Sequence, residues 1–203
     1  NPTEGINIEV DGSDIITYSA VFQVAEANGG STNGITVSVE GEDANAIYDL
    51  GGRKNYAIQS GMISFGVDPH YNPTANNPVR FEVVLKGEGF VTERIPVTIV
   101  KDQLQQLTSV KVMKIVTPPA GAAGSNTSTP LVGGATSAPI NIATPVTNGT
   151  SQPLAVTLPT GTKFIDATGK VIEGASLAAS VMNFDACKPE ALEFFPGGTL
   201  VSD

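Results

Sequence analysis

Two side chains of this sequence have the chemistry of a covalent catalyst, one thiol and one imidazole. The chain contains a single cysteine, Cys187, and a single histidine, His70. A cysteine nucleophile needs a base within hydrogen-bonding reach, and these two residues stand far apart in the sequence. His70 lies in the stretch VDPHYNP, which has no serine on a strained turn of the kind that forms a nucleophile elbow. We therefore expect a surface-loop histidine, and we expect that the protein is not an enzyme.

Two short acidic stretches raise the question of a metal site. The stretches are DGSD at 11–14 and EGED at 40–43. Calcium takes six to eight oxygen ligands, and neither stretch has the alternating acids and closing glutamate of an EF-hand. One histidine and one cysteine are too few ligands for a structural zinc site. We expect solvated turn carboxylates with no metal and no cofactor; a calcium site assembled from both stretches at a loop end is the alternative.

Aromatic residues near loops are the remaining candidates for a binding site. Tyr56 lies in the stretch KNY, and Tyr71 follows His70 in the stretch HYNP. One interpretation is that both rings cap the ends of a β-sandwich while their hydroxyl groups stay in water. The other is that Tyr56, His70 and Tyr71 belong to a loop surface that contacts a ligand, because loops on a rigid scaffold often carry binding.

Composition and charge limit the class of partner. The chain has 203 residues, a net charge of −9 and 11 Lys and Arg residues, which are scattered along the sequence. A nucleic-acid binder needs a basic stripe, so we expect no nucleic-acid partner and instead a glycan or protein outside the cell. No stretch approaches the roughly 18 apolar residues that span a bilayer. The start at Asn1, without an initiator methionine or a signal peptide, predicts a processed or trimmed product.

The elements that must position these residues are strands. Apolar residues alternate with polar ones along several stretches, as half-buried strands require, and Val, Ile and Thr dominate them. We count about seven short strands in residues 1–116, which predicts an antiparallel sandwich. Pro96 predicts an edge position for its strand, because proline donates no ladder hydrogen bond. In KGEGF, Gly87 and Gly89 predict a chain reversal, after which Phe90 covers the end of the core.

The second half of the chain has a different composition. Residues 117–139 are rich in Pro, Gly, Ser, Thr and Ala and carry no charge, which predicts an extended linker. Residues 140–203 then form a smaller β-rich module, with a hairpin turn at DATGK (166–170) and one helical turn in CKPEALEFF. A module of this size has a thin core, so we expect that it leans on the first module or is incomplete. The predicted fold class is all-β, two sandwich modules joined by a linker.

Several stretches resemble known modules. The order ITVSVEGEDANAIYDL, YAIQSGMISFGV and VRFEVVLKGEGFVTERIPVTIV resembles the carboxypeptidase-regulatory, transthyretin-like family of small Ig-like β-sandwiches over roughly residues 32–101. The stretch AVTLPTGTKFIDATGKVIEG resembles modules of surface lipoproteins from Bacteroidetes-type bacteria. These resemblances imply surface display with a binding or spacing role, and they imply no catalytic residues. They also imply an extracellular, cell-surface or periplasmic location, with a lipid anchor upstream of Asn1.

The sequence thus predicts a non-catalytic cell-surface or secreted protein that serves in binding, adhesion or spacing. Two alternatives stay open at this point. One is a glycan-binding accessory protein of a polysaccharide-uptake system, and the other is a fimbrial or stalk subunit that assembles by strand exchange.

Overall fold

The computed structural model describes residues 16–101, 104–146 and 152–195. This part of the chain is nearly all β, which confirms the all-β part of the predicted fold class. The strands are β1 (Ser19–Glu26), β2 (Thr36–Glu40), β3 (Ile47–Tyr48), β4 (Met62–Val67), β5 (Val79–Lys86), β6 (Glu93–Ile99), β7 (Gln105–Val112), β8 (Ala122–Val132), β9 (Ala135–Thr136), β10 (Ile140–Ala143), β11 (Ala155–Leu158) and β12 (Ser176–Phe184). Within these described ranges, a 3-10 turn spans Ala44–Ala46, and one short helix, α1, spans Pro189–Leu192.

Strands β1 to β7 form a two-sheet sandwich, which we call the first unit. One sheet has the strand order β3-β4-β1-β7, and the other has the order β2-β5-β6. The described residues of this part of the chain form seven strands, in agreement with the prediction of about seven. All described pairings are antiparallel except that of β1 with β7, which is parallel over eight residue pairs.

The alternating apolar residues form the core between the two sheets. Phe65 of β4 lies at its centre, with ring centroids 5.6 Å from Phe22 and 6.0 Å from Phe81. Aromatic rings at these distances pack by offset or edge contacts, which add to the burial of their area. The inward-facing side chains of β2 are partly buried and pack against the same core.

The prediction for the KGEGF turn is confirmed in part. Phe90 is buried against the first core, and Gly89 has a φ of +76°, in the region that favours glycine. Gly87 is needed for a different reason, because a Cβ there would lie 2.9 Å from the Gly34 carbonyl oxygen. Pro96 is also confirmed in an edge strand, since β6 ends its sheet.

The prediction of a linker at 117–139 is wrong for most of that stretch. Strand β8 pairs with β12 over nine residue pairs, and β9 pairs with the end of β8. Ala122, Ala123 and Gly124 are buried at the start of β8, and a Cβ on Gly124 would collide with the Ile115 carbonyl oxygen. The close approach of two backbones therefore requires small residues here. Their low hydrophobicity does not indicate an extended linker.

Strands β8 to β12 and α1 form the second unit. Its sheets have the orders β12-β8-β9 and β10-β11. The predicted DATGK hairpin is confirmed, since the Asp166 backbone nitrogen donates to the Lys170 carbonyl at 2.9 Å and Gly169 has a φ of +83°. The predicted helical turn in CKPEALEFF is confirmed as α1, with Pro189 at its first turn.

Candidate functional site

The two residues with catalytic chemistry lie in different units. His70 follows β4, its side chain is exposed, and its Nδ1 lies 2.9 Å from Asp68 Oδ1. Hydrogen bonds from the His70 backbone and ring lower the pKa of the Asp68 carboxyl. Cys187 is exposed on the segment after β12, where its backbone nitrogen donates to Asp185 Oδ1 at 2.9 Å. No described hydrogen bond or ion pair joins His70 and Cys187.

Tyr56 contacts the first unit through both its ring and its hydroxyl. The ring centroid lies 5.3 Å from that of Phe65, and the hydroxyl donates to the Ile47 carbonyl oxygen at 2.6 Å. Burial raises the pKa of the Tyr56 hydroxyl. One interpretation left this hydroxyl in water; in the structure it is bound at a part-buried position to a carbonyl of the short strand β3.

Tyr71 is the more accessible of the two tyrosines, with 45% of its surface exposed. It lines a surface cavity of about 280 Å³ together with Tyr18 and Asn72. Tyr56 lines a different cavity of about 360 Å³, beside Arg53. The predicted loop surface is therefore split, with Tyr56 at one cavity, Tyr71 at another, and His70 beside Tyr71 in sequence.

The acidic stretches differ in what the structure describes. DGSD at 11–14 lies outside the described residues. In EGED, Glu40 pairs with Arg94 at 2.9 Å, and Asp43 Oδ2 accepts the Arg80 backbone N–H at 2.7 Å. Among the described residues, no group of three His, Cys, Asp or Glu side chains converges as a metal site would require. The Glu40 and Asp43 carboxylates are thus engaged in tying β2 and the 3-10 turn to β5 and β6.

The parallel pairing of β1 and β7 fixes where the chain enters and leaves the first unit. Ser19 lies opposite Gln105 and Glu26 lies opposite Val112, in one continuous register. Two parallel strands run from the same end of a sheet to the other. Residues 16–18 therefore enter β1 at one end of the sheet, and the chain leaves β7 toward the second unit at the opposite end.

A small apolar cluster joins the two units at that opposite end, and we call it the junction cluster. Met113, directly after β7, packs with three buried residues of the second unit, Ala122, Ala191 and Phe194. Lys111 of β7 also pairs with Glu193 at 2.8 Å. The second unit therefore leans on the first through buried side chains.

Two further hydrogen bonds fix the segments beside the junction cluster. Asn28 Nδ2 donates to the Thr117 carbonyl at 2.8 Å, which ties the loop after β1 to the chain leaving β7. The Asp185 backbone nitrogen donates to the Gly121 carbonyl at 2.8 Å. The expectation that the second module leans on the first is met, but sequence reasoning missed the residues of the junction, because alanines in a stretch of small residues do not indicate burial until their partners are known.

The second unit exposes an apolar surface on its hairpins, which sequence reasoning also missed. Val132, Ile165 and Ile172 are 69%, 63% and 51% exposed. Gly134 places the β8–β9 turn beside 171–172, since a Cβ on it would lie 3.0 Å from Val171. The sequence did contain a signal of this surface, since an aliphatic residue stands directly beside each turn, at Gly133-Gly134 and at the DATGK hairpin.

The one described helix has four residues, and no helix in the described part of the chain has the length and hydrophobicity to cross a membrane. Comparison of the chain with family models, with curated proteins and with solved structures found no match.

Proposed function

We propose that this protein is a non-catalytic spacer or adhesion protein of a bacterial surface or of the extracellular space. The first unit would hold the second unit at a distance from whatever precedes β1. The observation that carries this proposal is the parallel pairing of β1 with β7 over eight residues. At about 3.3 Å per residue, the two strands separate the incoming and outgoing chain by roughly 25 Å.

The junction supports the same role. A flexible linker would let the second unit move freely, whereas a buried cluster and the Lys111–Glu193 pair restrain it. The main strand-to-strand contacts all lie within one unit or the other. The two units meet through the junction cluster, which includes the start of β8 as well as α1, and such a fixed contact suits a spacer.

Adhesion would use the loops and hairpins, with a glycan or protein as partner. Tyr71, beside its cavity of about 280 Å³, is the accessible aromatic candidate in the first unit. The acidic net charge of −9 keeps such a protein soluble. The family resemblances and the upstream lipid anchor predicted from the sequence remain predictions that agree with this role.

Small-angle X-ray scattering on the full chain tests the spacer proposal. A compact single globule of this length has a radius of gyration of about 17 Å. We expect a clearly larger value, because two units in series are elongated. A value near that of the compact globule would overturn the proposal.

A second experiment separates spacing from binding and from catalysis. The full chain is applied to a glycan array and to a panel of hydrolase substrates, beside the variants Tyr71→Ala and His70→Ala. Glycan binding lost in Tyr71→Ala would favour the accessory-protein alternative. Hydrolysis lost in His70→Ala would refute a non-catalytic role.

A further inference from the structure

Strand β4 has a short opening on the side that faces β3. β3 pairs with β4 at two positions, the second of which joins Tyr48 to Gly66. At the other end of β4, Gln59 and Met62 exchange two backbone hydrogen bonds, at 2.8 and 2.9 Å. Ser64 lies between these two paired positions. We call the opening at Ser64 the β4 gap.

The register of β1 with β4 directs the main-chain groups of Ser64 into this gap. The Val67 backbone nitrogen donates to the Tyr18 carbonyl at 2.9 Å, and Val21 pairs with Ser64 three positions along the same register. Hydrogen-bonded and non-hydrogen-bonded pairs alternate along an antiparallel ladder, so the N–H and C=O of Ser64 point away from β1. Among the described residues, neither group has a hydrogen-bond partner in the gap.

The β4 gap opens into the surface cavity of about 360 Å³ that Tyr56 also lines. Its volume is in the range of small-ligand pockets. Leu50 and Met62 line the same cavity and are 56% and 44% exposed. The cavity therefore offers a main-chain donor and acceptor beside apolar surface.

Arg53 supplies the positive charge of this cavity. Its Nε lies 3.5 Å from Asp49 Oδ2, and Asp49 Oδ1 accepts the backbone N–H groups of Gly51 and Arg53 at 2.9 and 2.8 Å. The Arg53 side chain is 77% exposed, and among the described residues its two terminal nitrogens donate no hydrogen bond. Asp49 thus holds the guanidinium from one side and leaves those nitrogens for an external carboxylate, which arginine binds through two parallel hydrogen bonds.

We propose that the β4 gap binds the carboxyl-terminal end of an extended peptide from a partner protein. A peptide residue in the gap pairs its N–H and C=O with those of Ser64, as in other cases of strand addition. The terminal carboxylate binds Arg53. The last side chain covers Leu50 and Met62, which removes their exposed apolar surface from water.

The length of the gap favours a chain end over a strand that passes through. Met62 and Gly66 are roughly 13 Å apart along β4, at about 3.3 Å per residue, and both are already paired. Two or three peptide residues fit in roughly that length. A longer strand would collide with the paired residues at either end.

The lining of the cavity favours a peptide over a glycan. The aromatic residue of the cavity is Tyr56, and its ring packs against Phe65 at 5.3 Å, so a sugar ring finds no fully exposed aromatic face. The site is separate from the cavity that Tyr71 lines. The inference goes beyond the spacer proposal and does not depend on it, because a spacer needs no peptide site.

A peptide array applied to the full chain tests the inference. Synthetic peptides randomised at their last residues are made with free carboxyl ends and, as controls, with amidated ends. We expect a subset with free ends and an apolar last residue to bind with dissociation constants of about 10–100 µM. We expect the amidated forms of the same peptides to bind about tenfold more weakly, because they lack the charge that Arg53 recognises.

Two neighbouring cations give a matched pair of variants. Arg53→Gln removes the charge from the cavity, and Lys54→Gln makes the same change at a residue whose Nζ donates to the Asn45 carbonyl at 3.0 Å. We expect the best peptide to bind about tenfold more weakly to Arg53→Gln and within about twofold of the parent to Lys54→Gln. Circular dichroism checks that both variants fold.

Nuclear magnetic resonance locates the contact. We expect the Ser64 amide signal to shift on titration with the best peptide, and the Tyr71 amide signal to stay in place. The inference is overturned if no peptide binds up to about 1 mM, if amidated and free ends bind equally, or if Arg53→Gln binds as the parent does. N-acetylneuraminic acid carries an amide and a carboxylate as well, and a Ser64 shift with this sugar but with no peptide would overturn the assignment to a peptide.

Discussion

Glu93 is a carboxyl group placed where a neutral side chain would be more stable. It is the first residue of β6, opposite Leu85 of β5, and it shares the inward face of β6 with the buried Val97 and Ile99. Its Oε1 is buried and has no hydrogen-bond partner among the described residues. Burial disfavours the ionised form and raises the pKa of Glu93 from its ordinary value of 4.5 to about 7.

The direction of the pH dependence follows from this raised pKa. Between about 4.5 and 7 the folded state holds a proton that the unfolded state has released, so stability falls as the pH rises through this window. Above about pH 7 the full cost of the buried charge is present. Each pKa unit corresponds to about 1.4 kcal/mol, which gives an upper limit of about 3 kcal/mol. Because Glu93 is partly exposed, solvent screening reduces the expected cost to about 1–2 kcal/mol.

Glu93→Gln removes the charge and nearly keeps the shape. We expect it to raise the free energy of unfolding by about 1–2 kcal/mol at pH 8 and by less than about 0.5 kcal/mol at pH 5. Urea unfolding followed by circular dichroism measures both values. The control Glu88→Gln makes the same change at an exposed turn residue, and we expect a change within about 0.5 kcal/mol at both pH values. An equal gain for Glu93→Gln at pH 5 and pH 8, or no gain at either, would show that the carboxyl is not strained by burial.

Three further substitutions test the fold and the junction, each by urea unfolding. Gly124→Ala should cost about 2 kcal/mol or more, because the added Cβ collides with the Ile115 carbonyl oxygen; a neutral effect would contradict the close packing of β8. Phe194→Ala should cost about 3 kcal/mol by opening the junction cluster, and a loss under about 1 kcal/mol would mean that the cluster contributes little. Tyr56→Phe should cost about 1 kcal/mol through the lost bond to Ile47, whereas an unchanged stability would place that hydroxyl in water.

The strands of the first unit could be predicted because their signal is local. MISFGV and VRFEVVLK alternate clearly, and both are strands over those residues. Branched and aromatic side chains on one face report burial without knowledge of the partner strand. The same local reasoning identified the DATGK hairpin and the turn that contains Gly89.

The second unit and the junction could not be predicted in the same way. β8 contains Ala, Gly, Ser and Thr where a long apolar alternation would have marked a strand. Its stability comes from pairing with β12 and from close approach to Ile115, and both are long-range contacts. The bond from the Tyr56 hydroxyl to Ile47 likewise depends on how β3 folds back onto β4.

The sequence could predict the loop site only in part, because the positions of its residues also depend on long-range contacts. Adjacent residues such as His70 and Tyr71 must remain near each other, whereas Tyr56 and Tyr71 belong to different loops. Their positions depend on which ends of the strands those loops connect. The structure places them at separate cavities.

The most direct test of the central claim is the distance distribution between spin labels on the two units. Ser38→Cys and Ser128→Cys place labels at exposed strand positions, one in each unit, in a Cys187→Ser background that leaves no other thiol. If the junction cluster holds the units in series, double electron–electron resonance gives one narrow distance peak, and Phe194→Ala broadens it. A broad distribution in the parent would contradict the account, because it would mean that the two units move independently.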